Sequence, residues 1–342
     1  MPRVDRIKEF FADPWKATTA GLAAALLVTL VVLIPRGDAA DDPGAGTTTT
    51  TTRAGGSTTP SDPGQQGEGF RGLVAAKIDN APLARPQVGI GQVPLLVEYM
   101  AEGGITRFIA VTDNSFDGLV GPVRSLRPVD ADLFPLLSPT LASTGGQSFV
   151  IREIDAGGTI RVEPETSAAF MIANRPAPHH YFLSLSTLLE EVPDFNPADP
   201  PFPSGTLTGG SSADAVAVPA WDLSWSFEDG VYSRAFGGEP FAVMGEIDGD
   251  TVPLTHDVMV FIQVGQRSAG YTDGAGAPVF TYDVIGGGDM VAFHDGQATA
   301  GSWIRLSHTG AFQLFDESGN PVGIPDGRVY VAFLPQGVDV EY

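Results

Sequence analysis

The sequence predicts a mixed α/β fold: a layered β-sheet sandwich with helices in its N-terminal half and a mostly antiparallel β C-terminal half. Three observations carry that expectation. Short apolar runs bounded by turn residues recur from Leu73 to Pro335. Helix-like periodicity and capping signals fall between Asp130 and Glu190, and no segment after Leu223 has a convincing helical period. With 342 residues and 43% apolar content, the chain is long enough to bury a sizeable core.

Leu73 to Ile78 (LVAAKI) reads as a buried strand, ended by the turn signal Asp79-Asn80-Ala81-Pro82. LLVEYMAE and ITRFIAVT, separated by Gly103-Gly104, read as a tight hairpin with a primed turn. Setting Glu102 opposite Ile105 puts Glu98, Met100, Glu102, Ile105, Arg107 and Ile109 on one face, with Arg107 in reach of both carboxylates. The competing reading, a short helix over Pro94 to Glu102 capped by Gly103, also keeps Glu98 and Glu102 on one side. Gly121 to Pro128 has proline near each end and reads as an extended, ordered loop. Asp130 to Leu137 suits a helical turn or two, Phe149 to Ile154 is apolar-periodic, and Ser186 is the expected N-cap of a helix containing Leu188 and Leu189. Beyond Trp221 the runs VMVFIQV, PVFTYDV, MVAFHDGQATAGSWIRL, FQLFDESGNPVGI and RVYVAFLP read as antiparallel strands, with Asp295-Gly296 as a turn.

Six segments follow: a cytoplasmic tail (1–16), a transmembrane anchor (17–34), a Thr/Gly/Pro-rich linker (35–69), an α/β domain (70–200), a connection (201–220) and a β-rich domain (221–342). Ala17 to Ile34 is an uncharged run of 18 residues, enough to cross a bilayer core as a helix. Arg3, Arg6, Lys8 and Lys16 precede it, and Asp38, Asp41 and Asp42 follow, so the N-terminus should be cytoplasmic and the folded body extracytoplasmic. A cleaved signal peptide is the alternative, since Gly37-Asp38-Ala39 loosely resembles a cleavage site. The linker, with six threonines at 47–52, gives a flexible reach of about 30 Å.

The net charge is −22, and residues 37–342 alone carry 14 basic and 38 acidic side chains. Such a surface repels nucleic acid and anionic lipid except where a local cluster reverses the field. There is no cysteine, which excludes disulfides, thiolate metal sites, cysteine nucleophiles and lipobox acylation.

One stretch, Lys77 to Arg127, holds four arginines within this acidic chain. The strings Ile78-Asp79-Asn80, Ala84-Arg85-Pro86-Gln87-Val88-Gly89, Glu102-Gly103-Gly104-Ile105-Thr106-Arg107-Phe108, Gly121-Pro122-Val123-Arg124-Ser125-Leu126-Arg127-Pro128 and Ala177-Pro178-His179 resemble the YerB-like family of bacterial lipoproteins. Gly288-Asp289-Met290 and Gly301-Ser302-Trp303-Ile304-Arg305 resemble that family's second domain. The resemblance implies an exported protein with a layered α/β fold and leaves its activity undefined. Two departures stand out: the lipobox cysteine is missing, and His180 stands where the family pattern suggests Asn.

Arg85, Arg124 and Arg127 are the candidate ligands of a carboxylate or phosphate, because guanidinium groups bind such anions bidentately. Ser125, Asp79, Asn80 and His179 complete the candidate ligand-binding set. The bland alternative pairs each arginine with a carboxylate, Arg107 being the clearest case. A hydrolase of envelope glycan or peptide would instead use Asp79, or Glu98 with Glu102, as acid and base with His179 assisting. Gly-x-Ser-x-Gly, Ser-x-x-Lys, His-Glu-x-x-His and P-loop patterns are all absent. The five histidines lack metal-ligand spacing, Asp248-Gly249-Asp250 does not complete an EF-hand, and no cofactor is expected. Trp221, Trp225 and Trp303 are expected in the core rather than stacked on sugars. The sequence therefore favours a non-catalytic module for an anionic cell-envelope ligand or partner, with a purely structural partner-binding role as a further alternative.

Overall fold

The computed structural model describes residues 70–113, 115–192, 197–207, 209–274 and 276–342. The expected tail, anchor and linker lie outside them. Among the described residues, no helix is long and apolar enough to cross a membrane.

The LVAAKI run forms β1 (Val74–Asp79), buried along its whole length. It lies antiparallel to β3 (Thr106–Thr112) and parallel to Thr140–Ala142, so both of its edges are paired. β2 (Leu95–Met100) and β3 form the expected hairpin, with Gly103 and Gly104 both at positive φ. Its register differs from the predicted one by a single residue. Ile105 N donates to Glu102 O at 3.1 Å and Ala101 N to Ile105 O at 2.9 Å, so Ala101 rather than Glu102 faces Ile105. Tyr99 consequently sits opposite Arg107 and Glu98 opposite Phe108. Because side chains alternate, that slip sends Glu98 and Arg107 to opposite faces of the sheet.

These strands belong to a 13-stranded sheet. In its middle, Val329–Pro335 runs parallel both to β2 and to Val258–Thr272. The sequence predicts an antiparallel strand here. Six of its seven residues are buried, and an apolar run without alternation is what a strand covered on both faces requires. All other regular elements described after Trp221 are strands too, as expected.

Each face of the sheet carries a layer. On one, α1 (Asp130–Leu137) and α2 (Ser148–Ala156) place Leu133, Phe134, Val150 and Ile154 against Val97, Ile109 and Val331. On the other, a five-stranded sheet that includes Leu223–Glu228 and Val231–Phe236 brings Trp225, Tyr232 and Phe241 against Phe108, Phe261 and Tyr330. Each such buried side chain contributes about 1.5–3 kcal/mol. Trp221, Trp225 and Trp303 are all core residues. The helix α3 (Leu185–Glu191) is capped by Ser184, whose Oγ accepts from Thr187 N at 3.3 Å, two residues before the predicted cap Ser186.

Candidate functional site

The C-terminal end of β1 is where the candidate residues gather, because three loops close on it. Asp79 N donates to Pro122 O at 2.9 Å, Arg124 N to Lys77 O at 2.8 Å, and Val123 N to Tyr181 O at 2.7 Å. The Gly121–Arg127 loop and the turn before Tyr181 are thereby sewn onto the strand. The peptide bonds Arg85-Pro86, Gly121-Pro122 and Ala177-Pro178 are cis, one in each loop.

Asp79 is fully buried, and four donors meet its carboxylate. Oδ1 accepts from Ala81 N at 3.1 Å and from Arg107 Nη1; Oδ2 accepts from Arg124 Nε at 2.9 Å and His179 Nδ1 at 2.8 Å. Burial pushes this carboxyl up, but Arg107, the Ala81 amide, Arg124 and His179 together hold it below its ordinary value. An ionised carboxylate can only accept, so His179 donates through Nδ1, and in the neutral ring Nε2 keeps its lone pair. The two terminal nitrogens of Arg124, whose side chain is 24% exposed, have no partner among the described residues.

A second cluster shares this face. Lys77 Nζ donates to Asp130 Oδ1 at 3.0 Å and to the Tyr99 hydroxyl, which itself donates to Asp130 Oδ1 at 2.7 Å. Burial presses the Lys77 ammonium down to about 7 against the pull of Asp130. Asp130 also accepts from Arg127 N at 2.6 Å. Arg127 spends its whole guanidinium internally: Nε and Nη2 go to Glu102, Nε at 2.5 Å, and Nη1 goes to Leu126 O at 3.0 Å. Arg107 bridges the two clusters, reaching Glu102 at 3.5 Å. Beside Arg127, a polar cavity of about 360 Å³ is lined by Ser125, Thr144, Gln147 and Tyr271.

Asn80, next along the chain, points to the other face. Its Nδ2 donates to Thr106 Oγ1 at 2.7 Å, and its Oδ1 accepts from Gln87 Nε2 at 2.9 Å and Arg85 Nε at 3.1 Å. Glu98 lies here too, gripped by Arg234 at 2.5 and 2.9 Å and by the hydroxyls of Tyr330 and Thr106, each at 2.5 Å. Glu98 and Glu102 therefore do not share a face and cannot act as the acid–base pair that the sequence suggested. Arg107 pairs with Glu102 but not with Glu98.

Arg85 differs from the other arginines of this segment. Arg107, Arg124 and Arg127 each hold a carboxylate, whereas Arg85 has none within ion-pair distance among the described residues. Its guanidinium lies 4.2 Å from the ring of Phe236 and 5.1 Å from that of Phe241, and among the described residues only Nε has a hydrogen-bond partner. Burial and the charge of Arg234 press its pKa down, with Glu98 pulling the other way. It lines a cavity of about 360 Å³ with Pro86, Phe236, Glu239, Pro240 and Phe241.

The candidate set is thus divided. Asp79, Arg124 and His179 converge; Ser125 and Arg127 line the neighbouring polar cavity; Asn80 and Arg85 lie across the sheet. Sequence reasoning missed Arg234, Tyr99, Asp130 and Gln87. For Arg234 a signal exists: in VYSRAF it shares the inward side of the alternation with Tyr232. No group of His, Asp and Glu among the described residues can hold a metal.

Comparison with known proteins agrees with this architecture. A crystal structure of the YerB protein from Bacillus subtilis superposes with a TM-score of 0.64 at 18% identity, covering 80% of this chain and 94% of that one, which establishes a shared fold. "Putative lipoprotein YerB" of Bacillus subtilis (strain 168) is 46% identical over 54 residues, a match spanning 16% of each protein. Residues 61–198 match the family described as "Protein of unknown function (DUF3048) N-terminal domain", and residues 214–331 match its C-terminal domain. With both domains matched in order and the fold shared, the chain belongs to the YerB-like family, DUF3048.

Proposed function

We propose that the chain is a membrane-tethered, extracytoplasmic binding module for an anionic cell-envelope ligand, and that Arg85 is its principal contact. The observation that carries this reading is the missing counter-ion of Arg85 among the described residues: a guanidinium partly withdrawn from water, both of whose terminal nitrogens lack a partner among those residues, at the edge of a cavity of about 360 Å³. A partly desolvated cation gains most from an anion that arrives with the ligand. Arg124 offers a second open fork, while Arg107 and Arg127 serve the scaffold. The uncharged run at 17–34 and the lipoprotein description of the Bacillus relative support the tether. Pull-down with purified peptidoglycan fragments tests the reading: the wild type should retain fragments that Arg85→Ala releases. Equal retention by both, or by neither, contradicts it.

A hydrolase is the second reading, favoured by one contact, the 2.8 Å bond from His179 Nδ1 to buried Asp79. Such a pair orients an imidazole so that Nε2 can take a proton. Turnover of wall material that His179→Ala abolishes without loss of fold would establish it.

A further inference from the structure

We infer that the Arg85 cavity takes the C-terminal carboxylate of a peptide whose last residue is small and apolar. This rests on the anion-binding reading and adds the chemical class of the ligand. Two features of the cavity select that class. Its cationic group is a single guanidinium already fixed on three sides, by Asn80 Oδ1 at Nε and by the rings of Phe236 and Phe241. What remains is one planar fork with two donor nitrogens, which matches the two oxygens of a carboxylate.

Apart from Glu239 and Thr251, the rest of the lining is apolar. Pro86, Phe236, Pro240, Phe241 and Ala242 form the walls, and Phe236 stays 37% exposed despite its size. A small aliphatic side chain next to the carboxylate covers these rings and shields the ion pair from water. A phosphate fits poorly. It carries up to two charges and four oxygens, yet it would find one fork and no apolar complement, and Glu239 in the same cavity repels a double charge more than the single charge of a carboxylate. The cavity also lies between the two matched domains, Arg85 coming from one and Phe236 and Phe241 from the other, a common position for small-ligand sites.

Calorimetric titration of the full chain with acetyl-alanyl-alanine, its C-terminal amide and inorganic phosphate tests the inference. The free acid should bind, the amide should bind about tenfold more weakly or worse, and phosphate should not compete. Arg85→Ala should lose the acid, and Phe236→Ala, which leaves the guanidinium in place, should weaken it. An amide bound as well as the acid overturns the inference, because Arg85 would then not be reading the carboxylate. Phosphate binding that Arg85→Ala removes, without binding of the acid, overturns the ligand class and leaves the anion-binding reading standing. Binding of neither anion overturns both.

Discussion

Asp79 is a carboxylate with no exposure to water and four donors, two of them guanidinium groups. Removing its charge strands Arg107 and Arg124, and breaking a buried pair from one side costs about 3–5 kcal/mol. Asp79→Asn should therefore lower the unfolding free energy, read from urea titration, by that amount near neutral pH. The sign of the pH dependence follows from the depressed pKa of the folded state. The carboxylate's contribution is present above its unfolded value of 3.8 and is lost as pH falls through the lower folded value. The gap between wild type and Asp79→Asn should thus close in acid, and a gap independent of pH contradicts the assignment. Asp79, Arg124 and His179 were legible because each is a charged or polar residue at a strand end or in a loop, with no apolar reason to be there. The separate environment of Arg85 was not, since the rings that hold it come from residues 236 and 241.

The β2–β3 hairpin shows how far a local pattern reaches. Two glycines between strand-like runs fixed the turn and both strands correctly. The register depended on whether Glu102 paired or joined the turn, which the glycines alone do not decide, and one residue exchanged the partners of Glu98 and Arg107. Double-mutant cycles separate the two registers. Glu98→Gln with Arg234→Met should show a coupling of about 0.5–3 kcal/mol, and Glu98→Gln with Arg107→Met close to none. The reverse order would restore the predicted register. The same limit explains the cap of α3: Ser184 and Ser186 are both good caps by residue type, and the strand Tyr181–Ser184 running directly into the helix selects the first.

The large sheet joins the matched domains through the strand Val329–Pro335, which pairs with β2 and brings Tyr330 to Glu98, 232 residues away in sequence. Composition divides the chain near residues 201–220, but it cannot register a parallel pairing between strands so far apart. We propose that the two parts unfold together. A chain ending at Arg328 should lose structure in both, seen as collapse of amide dispersion throughout its NMR spectrum; a folded 70–200 remnant would contradict this. That shared framework is what sets Phe236 and Phe241 against Arg85. The decisive test follows the arginine side-chain Nε–H signals of the full chain during titration with soluble peptidoglycan fragments. The Arg85 signal should shift and saturate, while those of Arg107 and Arg127, held by Asp79 and Glu102, stay in place. Movement of Arg127 without Arg85, or no movement of any arginine, would contradict the proposed function.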